Sequence, residues 1–335
     1  MILASIKVPN SSSPTDRLDG ELVLVHPDHQ TVARLPRERF PNLRQTIEVW
    51  DHAEVELREI DSIFRSGNWK ETTATARVSF MAPLSRTWAL LDGSAFIQHV
   101  ILVRKARGAE PPEDLFTIPL MYQGASEHLL GPTDDFPLAD EKYGLDFESE
   151  FCLITDEVPI GTIAANAAQH VKLILLMNDW SMRNLIPREL ATGFGFFHGK
   201  PVSSFSPFAL TPDELGDSWQ EGRVHLPIRT TLNGKLVGEP NAAEMHFSFY
   251  DLIAHAAKTR ALSPGTIIGS GTVSNQDESK GISCLAEKRT LETIHHGAPQ
   301  TPFLKAGDRV EIEVLKAGKS LFGKMSQQVV QARDY

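Results

Sequence analysis

The chain has 335 residues, 41% of them hydrophobic and 23% charged, with a formal net charge of −10 and a pI near 5.7. That length suffices for a large core in more than one unit, and the negative balance argues against nucleic acid or an anionic membrane as a partner. No run approaches the ~20 apolar residues of a membrane helix, and Met-Ile-Leu-Ala-Ser-Ile-Lys lacks the basic start of a secretory signal, so a cytoplasmic protein is expected.

In chain order, residues 1–8 alternate as a strand, 10–14 form a loop, and 21–25 make a second strand. Leu43, Ile47, Trp50, Val55, Leu57, Ile60 and Ile63 recur at helical spacing, which predicts one or two helices over 41–65. No cluster of catalytic residue types occurs before about residue 84. Residues 1–84 therefore read as a small α+β N-terminal domain, and 85–335 as the second, catalytic unit. The second unit opens on an apolar strand ending at Asp92, with His99 seven residues on. Taken alone, these are a helix N-cap and a half-buried histidine. Arg104, Lys105 and Arg107 then form a charge cluster before the Pro111-Pro112 bend, and Tyr122 follows in Pro119-Leu-Met-Tyr-Gln-Gly124.

Asp146 to Arg183 holds the densest chemistry. In an extended strand Glu148 and Glu150 share one face, and Phe147, Ser149 and Phe151 take the other. Residues 171–177 read as a buried strand that delivers Asp179 at its end. Three carboxylates drawn together are unfavourable unless a cation sits among them. All-oxygen ligation favours a hard ion, Mg²⁺ or Ca²⁺, over Zn²⁺. The same residues also read as two solvent-facing glutamates on an edge strand and a turn aspartate.

Cys152 and Cys284, the two cysteines, sit in apolar surroundings and read as buried thiols rather than a disulfide or metal pair. A short helix is expected after Pro159. Gly193-Phe-Gly-Phe-Phe-His-Gly-Lys200 reads as a loop folded over a pocket. Asn233-Gly234 marks a hairpin within 224–238, and a helix follows over 249–260. The glycine-rich segment 269–275 lacks the phosphate-loop pattern, and no nucleotide fingerprint occurs elsewhere. Residues 304–314 with Leu321-Phe-Gly read as a closing hairpin whose acidic residues point outward.

Glu-x-Glu, then Asn178-Asp-Trp-Ser-x-Arg183 about thirty residues on, then Gly199-Lys-Pro201 and Ser270-Gly-Thr-Val-Ser274, resembles the fumarylacetoacetate hydrolase family in order and interval. The resemblance runs from about residue 85 to the C-terminus. It implies an α+β, β-rich fold: a mixed β-roll or sandwich catalytic domain with a small N-terminal module, in a homodimer. It implies a divalent cation, Mg²⁺ or Ca²⁺, at Asp92, Glu148, Glu150 and Asp179. His99 would be the general base, since its interval from Asp92 matches the family, and Glu287 would orient it if one residue is inserted. Lys200 and Arg183 would stabilise developing negative charge. Tyr122, Arg183, Thr272 and Gly271 would hold a small diketo acid, with one of Arg104 and Arg107 facing the pocket. Where the family carries a tyrosine and a glutamine, this chain has Ser94 and Ile186. The implied activity is hydrolysis of a carbon–carbon bond in a β-diketone acid, with fumarylacetoacetate first in line. Acylpyruvate hydrolysis, and decarboxylation or tautomerisation of a 2-oxo acid, are the alternatives.

Overall fold

The computed structural model describes residues 1–105, 108, 110 and 112–332. Eleven strands form one mixed sheet: β1 (Ile2–Ile6), β2 (Glu21–Val25), β3 (Thr31–Arg34), β4 (Thr72–Ala74), β5 (Leu90–Gly93), β6 (Met121–Gly124), β7 (Ser149–Thr155), β8 (Val171–Asn178), β9 (Ser204–Phe205), β10 (Ala209–Leu210) and β11 (Ile267–Gly269). Their spatial order is β4-β3-β2-β1-β10-β8-β7-β11-β5-β6, with β9 also paired to β8. The β5–β11 pair is parallel, and the others are antiparallel.

Strands covered on both faces read as continuous apolar runs, because neither set of alternating side chains meets water. β1 shows this. Ile2, Ala4 and Ile6 enter one core, while Leu3 enters another. The alternation expected over residues 1–8 is thus between two cores rather than between core and solvent. The first core lies between the large sheet and a five-stranded sheet built from Phe136–Leu138, Arg229–Leu232, Lys235–Gly238, Arg309–Glu313 and Met325–Gln331. The helices Leu43–Ile47 and Trp50–Arg65 cover the opposite face, burying Leu43, Ile47, Trp50, Leu57 and Ile60. Val55 and Ile63, expected on that face, point outward. The helix shows its stripe to one side only, and these two positions fall off it.

The 224–238 hairpin forms with Asn233 and Gly234 both at positive φ (51° and 77°), as a two-residue turn requires. The closing hairpin differs from expectation. Arg309–Glu313 pairs with Met325–Gln331, because a small ribbon of Leu315–Lys316 and Lys319–Ser320 occupies the intervening chain. Among the described residues no helix is long and apolar enough to cross a membrane. The architecture is α+β and β-rich with mixed sheets, as the resemblance implies.

Candidate active site

The site is assembled where strands end. β11 lies between β5 and β7, and its Gly269 is in register with both Asp92 and Cys152. On the other side of β7, Glu150 is in register with Met177 of β8. Asp92, Glu150 and Asp179 therefore emerge at one end of the sheet, on the face that further along carries Leu90, Cys152, Ile154, Leu175 and Met177. Glu148 sits one residue before β7, in the link that follows Leu145–Asp146 rather than within the strand expected there. Its backbone N–H donates to Asn178 Oδ1 at 3.0 Å, and its carbonyl accepts the Asp179 N–H at 3.0 Å. All four carboxylates are buried, with oxygens within 4.8 Å of one another. The solvent-facing reading of Glu148 and Glu150 does not hold: their relative exposures are 3% and 0%. Gly269 makes the cluster sterically possible. A Cβ there would stand 2.3 Å from Asp92 Oδ1 and 3.1 Å from Glu150 Oε2.

Two cations reach in. Lys200 Nζ donates to Glu148 Oε2 and to Asp179 Oδ2, each at 2.6 Å. Arg183 places Nη2 2.6 Å from Glu148 Oε1 and Nε 2.8 Å from Asp146 Oδ2. Tyr122 donates its hydroxyl to Asp179 Oδ2 at 2.6 Å, Ser203 to Asp179 Oδ1 at 2.9 Å, and the Gly271 N–H to Asp92 Oδ1 at 3.1 Å. Burial, followed by the neighbouring Asp179, pushes the Asp92 carboxyl up to about 8. Glu150 is raised by burial and then by Asp92, and Asp179 is raised chiefly by burial. Burial alone would raise Glu148 too, but the Lys200 and Arg183 cations hold it well below the usual carboxylate range. For Lys200 the carboxylates of Asp179 and Glu148 outweigh burial and keep the ammonium charged.

These residues fit a metal. Both Glu150 oxygens are buried without a hydrogen-bond partner, an arrangement costing about 1–3 kcal/mol per orphaned group. Lys200 and Arg183 offset at most two of the four carboxylates, so a divalent cation would balance the remainder. The donor set is all oxygen and accepts a hard cation.

Beside this cluster His99, on the helix Ile97–Lys105, places Nδ1 2.7 Å from Oε1 of Glu287, on the helix Leu285–His296. The two residues are 188 positions apart in the chain. A carboxylate oxygen at that distance accepts from Nδ1, so in the neutral imidazole the proton sits on Nδ1 and Nε2 has the lone pair. A cavity of about 430 Å³ joins both parts. Asp92, His99, Tyr122, Glu148, Arg183 and Lys200 line it, together with Thr272 and Gly271. Arg104 also lines it, whereas Arg107 lies outside the described residues. Gly271 also shapes the site through its backbone. Its N–H is committed to Asp92, and its φ of +78° with Gly93 O 2.4 Å from a built Cβ makes glycine a requirement of the turn. Ser94 and Ile186 both face the cavity, with Val100, Val103, Leu120 and Leu190 among its apolar wall.

The Gly193–Lys200 segment does border the cavity, and Glu189 holds it. The Glu189 carboxylate accepts the backbone N–H groups of Phe197, His198 and Gly199 at 3.2, 2.7 and 3.0 Å. Against the burial that would raise it, these donors keep the Glu189 carboxyl below its ordinary range. The segment carries Phe196, edge-on to Tyr122 with centroids 5.3 Å apart, and Lys200 at its end. Sequence reasoning missed Glu189, Ser203 and Gly269, and read Cys284 as a buried thiol without its capping role. The Cys284 thiol is buried and unpaired, like Cys152, and caps the helix of Glu287. Only the glycine, next to a strand end, left a signal that could have been read.

The site is a buried four-carboxylate cluster that fits a divalent cation, with a histidine–glutamate pair beside it. Residues 89–330 match the family model described as fumarylacetoacetate (FAA) hydrolase C-terminal, and 2–86 match fumarylacetoacetase N-terminal domain 2. The chain belongs to the fumarylacetoacetate hydrolase family, which includes hydrolases, tautomerases and isomerases. It is 24% identical over 249 residues to human mitochondrial oxaloacetate tautomerase FAHD2B, covering 72% of this chain and 68% of that one. It is 28% identical over 205 residues to the 2,4-didehydro-3-deoxy-L-rhamnonate hydrolase of a Sphingomonas strain, covering 60% and 63%. In fold it is similar to maleylpyruvate hydrolase from Sphingobium sp. SYK-6, with a TM-score of 0.65 at 17% identity over 99% of this chain and 100% of that one. That enzyme has also been solved with manganese(II) and pyruvate (TM-score 0.64, 17% identity, 99% and 100% covered).

Proposed function

We propose that the protein hydrolyses a carbon–carbon bond in a β-diketo acid. The observation that carries this reading is the His99–Glu287 pair, 2.7 Å apart, whose histidine faces the same cavity as Asp92 and Glu148. Enolisation alone needs no group that activates water; hydrolysis does.

Asp92, Glu148, Glu150 and Asp179 would hold the divalent cation. When bound, it supplies Lewis-acid charge toward the two oxygens of a 1,3-diketone. Glu287 fixes the His99 tautomer, so that Nε2 is the atom that takes a proton from water. The resulting hydroxide equivalent adds to a carbonyl carbon, the adjacent carbon–carbon bond breaks, and its electron pair passes to the departing enolate. His99 then returns its proton to the enolate carbon, giving two acid products. Lys200 and Arg183 would offset negative charge as it develops on oxygen, and Thr272 and Tyr122, which line the cavity, would orient the substrate. Fumarylacetoacetate is the first candidate. Ser94 and Ile186 give the cavity a different outline from that implied for a fumarylacetoacetate enzyme, and so keep acylpyruvates alongside it.

The test follows loss of the diketone on adding Mg²⁺, Mn²⁺ or Ca²⁺ to purified protein with fumarylacetoacetate and a panel of acylpyruvates. Cleavage of at least one is expected, and His99→Ala should lower kcat by about 10²–10⁴-fold while leaving metal affinity in place. No cleavage with any metal overturns the reading. Oxaloacetate tautomerisation that survives His99→Ala, without diketone cleavage by the unaltered protein, establishes the second reading. That reading draws on the Lys200–carboxylate cluster and leaves the dyad without a part.

A further inference from the structure

Asp146 is a fully buried carboxylate that the proposed reaction leaves without a part. It closes the short strand Leu145–Asp146, which pairs with Ser181–Met182 and so brings it beside Arg183. Its Oδ1 accepts the Leu285 N–H at 2.7 Å, and its Oδ2 accepts the Ala286 N–H at 2.9 Å and the Arg183 Nε–H at 2.8 Å. The first two donors begin the helix Leu285–His296, where backbone N–H groups have no partner inside the helix. Glu287 follows immediately and reaches His99. The third donor belongs to the guanidinium whose other arm stands 2.6 Å from Glu148. The two halves of the site come from segments about 140 residues apart, and Asp146 holds both.

We propose that Asp146 is a positioning residue that ties the His99–Glu287 pair to the metal-binding carboxylates, through the start of the Glu287 helix on one side and Arg183 on the other. It is not among the residues that line the cavity. It acts by fixing where Glu287 presents its oxygen and where Arg183 leaves Glu148. Arg183 shared between two carboxylates leaves Glu148 partly available to a cation, and Arg183 released from Asp146 shifts wholly onto Glu148 or away from it. The catalytic meaning of the link rests on the hydrolase reading. The link itself can be measured without any substrate.

The experiment compares Asp146→Asn and Asp146→Ala with the unaltered chain by two readouts. One is the downfield His99 Nδ1–H proton resonance in the metal-free protein, which reports the bond to Glu287. The other is the dissociation constant for Mn²⁺ or Mg²⁺ by calorimetry. Asparagine has one acceptor oxygen and cannot serve the helix N–H groups and Arg183 together, so at least one readout should move. Alanine serves neither, so the His99 signal should disappear and metal affinity should fall roughly ten-fold or more. Ser206→Ala removes a buried hydroxyl elsewhere in the sheet and serves as the stability control, with both readouts unmoved. If Asp146→Ala fails to fold, the isosteric Asp146→Asn decides alone. A His99 resonance in place and a metal affinity within about two-fold of the unaltered protein in the folded variants would overturn the proposal, whatever the melting temperature does. Loss of both, in a protein that cleaves no diketone, would leave the proposal standing and remove only the hydrolase reading.

Discussion

At the residue scale, the site depends as much on where side chains are absent as on where they are charged. Gly269 is neither a turn glycine nor a ligand. It lies mid-register between Asp92 and Cys152, and its missing Cβ is the space into which the Asp92 and Glu150 carboxylates lean. Gly269→Ala should therefore weaken metal binding by roughly ten-fold or more, with the circular dichroism spectrum unchanged. A metal affinity equal to that of the unaltered protein, measured by calorimetry, would show that Asp92 can swing aside. Glu148, Glu150 and Asp179 were legible because the glutamates are close in sequence and Asp179 ends an apolar run, whereas Asp92 joined them only through the family resemblance. Gly269 showed only as a glycine at a strand end, and Ser203 not at all, since a small residue carries no chemistry of its own until its neighbours are known.

At the element scale, strand ends and helix starts place the chemistry, while one loop encloses it. Glu189 sits on the helix Ile186–Thr192 and gathers three successive backbone N–H groups, fixing the path of the chain into Lys200. Phe194 and Phe197 on the same segment are 98% and 78% exposed, so their own packing does little to hold the loop. In Glu189→Ala those donors lose their acceptor. The expected outcome is faster chymotrypsin cleavage at Phe194 and Phe197, and a loss in kcat/KM on the order of 10²-fold from misplaced Lys200. Unchanged cleavage and turnover would show that the loop is held by other contacts. The glycine and aromatic pattern announced this loop, but its anchor is a glutamate that reads in sequence as an ordinary exposed helix residue.

At the scale of the whole molecule, metal, proton and stability are linked. The Asp92 carboxyl is raised from its ordinary 3.8 to about 8, first by burial and then by Asp179. The folded, metal-free protein therefore keeps a proton that the unfolded chain releases near pH 4. Its stability falls as pH rises through that window, because the unfolded chain then binds fewer protons than the folded one. A divalent cation held by these carboxylates would take the place of the proton. Added Mg²⁺ or Mn²⁺ should accordingly raise Tm more at about pH 8 than at about pH 5, and equal increments at the two values would refute the linkage. The two-core sheet sets the burial that drives this shift. The strands of residues 1–84 continue the same sheet through the β1–β10 pair, and Leu22 and Leu24 share a core with Ile154 and Leu173.

Local order determined what could be read from the chain alone. Period-two and helical apolar spacing marked the principal strands and helices, the Asn-Gly turn marked its hairpin, and closely spaced motifs with steady intervals marked the carboxylates, Lys200 and the family. Each depends on residues near one another in sequence, where backbone geometry dictates which side chains share a face. Tertiary structure alone decided what lies across the chain. It turned the alternation of residues 1–8 into a division between two cores, brought Glu287 to His99 over 188 positions, drew the Gly271 N–H to Asp92, and placed Asp146 at the joint between the two halves of the site. The interval from Asp92 to His99 carried a resemblance, but the bond that gives His99 its tautomer is a contact between two helices, and spacing along one chain cannot encode it.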